Sequence, residues 1–338
     1  MRRPAVAATA LVLAAACAGD DPGRESVDGG AATTMAATPT TTTATAPAPA
    51  ELPVPRTEVS GVAWRGRLSV AGGLTPDGGA SALFHLWDPA AGAWSAGPAL
   101  PTPLHHAAMA VVGERVFVVG GYTNAPGQPW EPQASVWSLG EGDAAWREEA
   151  SLPAPRGAHA AAVAGGMIVV AGGESGGQPL ATTAVYTAAA GSWRAGPDLA
   201  RPREHLAAAA AGGRVYAIAG RTAAGGNVTV VESLAPTIAA GWRAEPDLVR
   251  SRGGIGADTV DGHICVAGGE EPAGTIAPVE CLTPGAESWR TVAQLARPRH
   301  GLAVMALGGR LHVVAGGDQP GLTVSGAHEA IAVAVRSA

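Results

Sequence analysis

The sequence predicts an all-β fold made of six copies of one four-stranded antiparallel unit, and three observations predict it. First, the stretch LPAPRGAHAAAVAGGMIVVAGG from Leu152 has relatives starting at Leu52, Leu100, Leu199, Leu248 and Leu295, with spacings of 48, 52, 47, 49 and 47 residues. Second, Trp94, Trp146, Trp193, Trp242 and Trp289 keep step, each 21 to 26 residues after the first glycine of a pair. Third, every unit has two apolar runs separated by a two-residue break such as Arg65-Gly66, Gly165-Gly166 or Gly308-Gly309, the chemistry of a tight hairpin needing positive φ. Self-similarity at such a period outranks local propensity.

Taken in order, residues 1–16 of MRRPAVAATALVLAAAC read as an export signal: a basic start, then an apolar run too short for a stable membrane span. Leu13 to Cys17 resembles the bacterial lipobox, with Ala14 at the usual leucine, and implies lipidation of Cys17, two acyl chains and stable anchoring to the outer face of the cytoplasmic membrane. Without lipidation the chain is secreted. Residues 17–50, rich in Thr, Ala and Pro, bury too little apolar surface to fold and read as a tether. Its roughly 30 residues give an r.m.s. reach on the order of 30 Å.

Residues 51–338 form the folded region. In each unit two strands flank the break, the glycine pair ends the second, a polar loop follows, and a third short run such as SVWSL or TVVESL precedes the tryptophan strand. The alanine runs Ala160–Ala162 and Ala207–Ala211 favour helix by propensity, but the equivalent places hold VSGVA and AAMAV, so they read as strands. Small residues there suit innermost strands crowding on an axis.

The glycine pair, the PR before the first strand, the Glu of the third strand (Glu232, Glu280) and the tryptophan offset resemble the kelch repeat across residues 52–338. The resemblance implies a six-bladed β-propeller of four antiparallel strands per blade. GAHEAIAVAV supplies the third strand of the last blade, which lacks a tryptophan strand; residues before Leu52 would have to complete it, and TATAPAPAE is a poor strand. Ring closure is thus the open question of the architecture.

Composition removes several functions. A formal charge of −6 with no basic block argues against nucleic acid. All 22 basic residues are arginine, which excludes Schiff-base chemistry and the lysine-dependent phosphate loop. In a four-stranded meander, the PR segments and the loops after the glycine pairs open on one face. That face collects Arg56, Glu58, His105, His106, Arg156, His159, Arg203, Glu204, His205, Arg252, Arg299 and His300, with Asp77, Tyr122, Glu174, Arg221, Glu270, Glu271 and Asp318 from the other loops. Proteins resembling this family bind ligands there.

The recurring PR arginines read as structural pairs and the strand tryptophans as inter-blade packing. Residues the repeat does not demand carry more. Arg221 replaces a glycine of the pair, and Trp130 and Tyr122 in the long loop YTNAPGQPWEPQ suit stacking on a sugar or peptide. The ligand candidates are Tyr122, Trp130, His106, His159, Glu174, His205, Arg221, Glu270, Arg299, His300 and Asp318. The histidines come from separate blades without short ligand spacing, so neither a metal nor another cofactor is expected. Cys265 and Cys281, on neighbouring strands of an exported chain, are either a disulfide or two buried thiols.

The expected function is a monomeric, membrane-tethered binding propeller that presents its loop face to a carbohydrate or protein partner, rather than an enzyme. The alternative is a sugar-modifying enzyme of the epimerase type, as found among kelch propellers, with His205 or His300 working beside a carboxylate. A copper-oxidase constellation is not matched.

Overall fold

The structure, a computed structural model, describes residues 48–224, 226–237 and 240–334. The signal segment, Cys17 and the tether up to residue 47 lie outside the described residues.

Every described element is extended. The innermost strands are Ser60–Trp64, Ala108–Val112, Ala160–Ala164, Ala207–Ala211, Gly253–Val260 and Ala303–Leu307. Each opens an antiparallel meander, and each packs beside the inner strands of its neighbours, the sixth against the first. Among the described residues, blades 1 to 5 have the expected four principal strands and blade 6 has three, the last His328–Ala332. The alanine runs are strands because their register follows the hairpin, with Ala160 opposite Ala171 and Ala207 opposite Ile218. Crowding on the axis explains the small residues. A β-carbon on Gly61 would lie 2.7 Å from Ala303 Cβ, and one on Gly256 would lie 2.5 Å from Val304 Cγ2. The inner strands still enclose an axial channel of about 290 Å³.

Two recurring side chains hold the blades in place. Arg156, Arg203 and Arg252 each donate from Nη1 to the carbonyl sixteen residues on, at 3.1, 2.7 and 3.0 Å, where the second strand ends. The same guanidinium reaches the carbonyl that starts the third strand: Thr182 O at 3.0 Å, Val230 O at 3.0 Å and Pro278 O at 3.0 Å. Glu232 and Glu280 close the pair in blades 4 and 5, and Glu329 closes it for Arg299. In blade 2 the slot holds Leu104, fully buried, with Trp137 at the place of the glutamate, so an apolar pair replaces an ionic one. The tryptophans donate Nε1–H across the blade boundary, Trp146 to Pro98 O, Trp242 to Pro197 O and Trp289 to Pro246 O, at 2.8–2.9 Å.

Closure follows the same rule without a strand. In five blade junctions a leucine N–H (Leu100, Leu152, Leu199, Leu248, Leu295) donates to the preceding blade's third-strand approach at 2.8–2.9 Å. Leu52 N makes the equivalent bond to Gly326 O at 2.7 Å, and Trp94 Nε1 donates to Ala50 O at 2.8 Å. The proline-rich segment therefore makes the junction contacts of an outer strand while needing none of its ladder bonds, which proline cannot donate. Cys265 and Cys281, opposite one another in blade 5, form a disulfide.

The arginine contact also fixes the register of the glycine pairs. Sixteen residues after Arg203 lies Ala219, and Ala219-Gly220 takes the paired positive φ values (52° and 101°) that Gly72-Gly73 takes in blade 1 (64° and 104°). Arg221 thus does not replace a glycine: it follows the pair, as Tyr122, Glu174 and Glu270 do. Ala315-Gly316 is the pair in blade 6.

Candidate functional site

The loop entering each inner strand turns through one residue of positive φ, two places after the PR arginine or its substitute. The six are Glu58, His106, Ala158, His205, Gly254 and Gly301, with φ of 52°, 51°, 52°, 49°, 69° and 59°. Their backbones form a closed belt: His106 N to Glu58 O, Ala158 N to His106 O, His205 N to Ala158 O, Gly254 N to His205 O, and Gly301 N to Gly254 O, at 2.8–3.0 Å. Val59 N to Gly301 O at 3.2 Å completes the circle. A left-handed residue other than glycine costs about 1–2 kcal/mol. Four belt positions carry a residue other than Gly; at Ala158 the side chain is inert, but at Glu58, His106 and His205 the strained position presents a titratable group, which points to a site.

Those three side chains meet at the axial mouth, around a recess of about 70 Å³. His106 Nε2 lies 3.2 Å from Glu58 Oε2 and 3.0 Å from His205 Nε2. The other nitrogen of each ring is also occupied: His106 Nδ1 meets His105 Nδ1 at 2.5 Å, and His205 Nδ1 meets the Glu204 carboxylate. Glu58 Oε1 accepts from His300 Nδ1 at 3.2 Å, while His300 Nε2 faces the carbonyls of Gln319 and Gly321 at 3.0 Å each and Glu270 at 3.7 Å. Both His300 nitrogens face acceptors, so both donate and the ring is an imidazolium. Arg221 Nη2 donates to Glu270 Oε1 at 2.5 Å on the rim.

The charges agree with this geometry. Burial alone would raise the Glu58 carboxyl, but the hydrogen bond from His300, with the His300 and Arg221 charges, holds it below the usual carboxylate range. Burial opposes protonation of His300, and the Glu58 and Glu270 carboxylates overcome it and raise the imidazole above its ordinary value. Burial pushes His106 well below the usual range despite Glu58 beside it, and burial together with Arg221 does the same to His205. The mouth therefore holds a carboxylate, an imidazolium and two neutral imidazoles within hydrogen-bonding reach, a set able to bind polar groups or a cation and to move protons.

The predicted candidates divide accordingly. His106, His205, His300, Arg221 and Glu270 converge on the mouth. Trp130, 45% exposed, packs edge-on to His105 and tilted against His106, with ring centroids 4.7 and 4.9 Å away. Tyr122 lies under Trp130 and is buried, so it supports the platform instead of offering a face. Arg299 is a correction: it is fully buried in the framework, donating to Ala315 O at 2.8 Å and Glu329 at 2.7 Å. Glu174 turns back on its own hairpin, accepting from Gly177 N at 3.0 Å, and Asp318 is exposed outside the cluster. His159 lines the recess from below with both ring nitrogens unpartnered, and burial, helped by Arg156, lowers it to about 3. Glu58 and Glu204 complete the cluster without having been selected as ligand candidates. The sixfold alignment of the positive-φ position is the signal that finds Glu58.

Residues 155–200 match the Kelch motif family model. No curated protein matches the chain. Among solved structures, the one described as "Structure of YjhT" has a TM-score of 0.72 with 15% identity, covering 84% of this chain and 96% of that one. At that identity the likeness shows the fold alone, and function rests on the site.

Proposed function

We infer that this six-bladed kelch-type β-propeller is a ligand-binding protein that works outside the cytoplasm and takes a carbohydrate at its axial mouth. The observation that carries it is the cluster at the axial mouth, where Glu58, His106 and His205 line the recess and His300, Glu270 and Arg221 continue the chain of contacts from Glu58, beside the half-exposed Trp130 ring. An aromatic face next to convergent charged donors and acceptors suits a polyhydroxylated ring, whose apolar face stacks while its hydroxyls pair. The Cys265–Cys281 disulfide supports export, since such bonds persist in oxidising compartments. With a lipidated Cys17, the propeller would stand off the outer face of the membrane on its tether.

A second reading, a sugar-modifying enzyme of the epimerase type, is favoured by neutral imidazoles held beside a carboxylate, which suit proton transfer. A glycan array probed with wild type and Trp130→Ala tests the binding reading. Wild type should bind a related set of glycans, and the variant should lose most of that signal; no glycan bound by wild type would end the carbohydrate assignment. Turnover of a bound sugar, followed by NMR, would favour the enzyme.

A further inference from the structure

We propose that Glu58, His106 and His205 bind one divalent transition-metal ion of the Zn²⁺ class at the axial mouth. Separation along the chain misled the expectation of no metal: the three residues come from blades 1, 2 and 4, but the belt makes them neighbours. One donor atom from each lies within 4.8 Å of the others, with His106 Nε2 3.0 Å from His205 Nε2 and 3.2 Å from Glu58 Oε2. Zinc bonds of 2.0–2.1 Å place adjacent tetrahedral donors about 3.3 Å apart. Two nitrogens and a carboxylate oxygen leave a fourth position open, the arrangement of sites that exchange water for a ligand.

The outer contacts fit as closely as the donors. Metal-binding imidazoles are oriented through their second nitrogen and carboxylates through their second oxygen, and here each such atom has a polar neighbour. The Glu204 carboxylate lies against His205 Nδ1 without an aligned hydrogen bond, His105 Nδ1 lies against His106 Nδ1, and His300 donates to Glu58 Oε1. The remaining belt positions are Ala158, Gly254 and Gly301, and with a recess of about 70 Å³ they leave room for an ion with water or a ligand group. The Arg221 charge on the rim is balanced by Glu270. The site goes beyond the carbohydrate reading and does not depend on it, because the ion is measured without sugar.

The test uses the untagged chain, stripped with a chelator and titrated with ZnCl₂ by calorimetry and with CoCl₂ by visible absorption. Wild type should bind one equivalent of either ion, with Co²⁺ developing the d–d bands of a four- or five-coordinate nitrogen/oxygen site. His205→Asn keeps a residue tolerant of positive φ and should weaken binding at least 100-fold; Glu204→Gln, acting through His205, should weaken it 10- to 100-fold. Circular dichroism checks that the variants fold. Absence of a saturable one-equivalent site in wild type by both ions overturns the proposal whatever the variants do, as does His205→Asn that folds and binds Zn²⁺ as tightly as wild type.

Discussion

A β-carbon on Gly301 would lie 2.5 Å from Glu58 Oε1 and 2.6 Å from Thr57 Oγ1, whereas one on Gly254 would meet nothing closer than His300 Cβ at 3.4 Å. Both residues occupy the same left-handed belt position, so Gly254→Ala should cost about 1–2 kcal/mol from the backbone alone. Gly301→Ala should cost that and more, because it also displaces the carboxylate; at about 2–4 °C per kcal/mol, thermal unfolding resolves the difference. Equal losses would mean that Glu58 is not held where the belt puts it. The histidines set a second expectation at this scale. Burial, helped by the Arg56 charge, lowers His85 to about 4; burial with Arg156 lowers His159 to about 3; and burial with His312 lowers His328 to about 4. These rings are neutral when folded, while unfolded histidine protonates near 6.5. Between pH 6.5 and 4 the unfolded chain therefore binds more protons, and stability falls as pH falls. His300, raised, works in the opposite direction, but His106 and His205 reinforce the three. The urea midpoint should be lower at pH 5 than at pH 7; a midpoint equal or higher at pH 5 would contradict the neutral assignments.

In every blade but the second, a framework arginine ties the end of the second strand to the third, and the blades differ in what closes the pair. Arg252 and Glu280 are both buried, so Arg252→Leu strands a buried carboxylate and should cost about 3–5 kcal/mol. Adding Glu280→Leu should recover most of it, since blade 2 already packs Leu104 and Trp137 in those slots. Denaturant unfolding of the single and double variants checks this, and a double variant no more stable than the single would show that the arginine serves the carbonyls alone. Much of this element scale was legible in the sequence. Hairpin breaks, glycine pairs and tryptophans place the strands because each demands a particular backbone or packing role. The pair register in blades 4 and 6 was not, because Ala219 and Ala315 take positive φ where glycine is expected, and the letters AGR and AGG slide by one. The arginine-to-carbonyl bond that fixes the register joins residues sixteen apart and leaves no mark in the local pattern. The same bond shows why Arg299 belongs with Arg252 and not with the ligand candidates.

At the scale of the ring, the described residues close it through Leu52, Ala50 and Trp94, with no closing strand among them. Leu52 is as buried as Leu152, its counterpart between blades 2 and 3, so Leu52→Ala and Leu152→Ala should each cost about 2–5 kcal/mol. A silent Leu52→Ala beside a costly Leu152→Ala would mean an open ring. Sequence alone left closure unsettled because the closing segment satisfies the junction without strand periodicity. The site was half legible for a related reason. His106, His205, His300, Arg221 and Glu270 stood out against the repeat, but only the closed ring brings side chains of blades 1, 2, 4, 5 and 6 together at one mouth, with Glu58 between His106 and His300. The central claim is that this mouth is where the chain binds its ligand. It is tested most directly by calorimetric titration of wild type and Arg221→Ala with the glycan that gives the strongest array signal. One saturable site in wild type, weakened at least 10-fold by loss of a charge-assisted hydrogen bond on the rim, is predicted. Equal affinity in the two proteins would place the ligand elsewhere and contradict it.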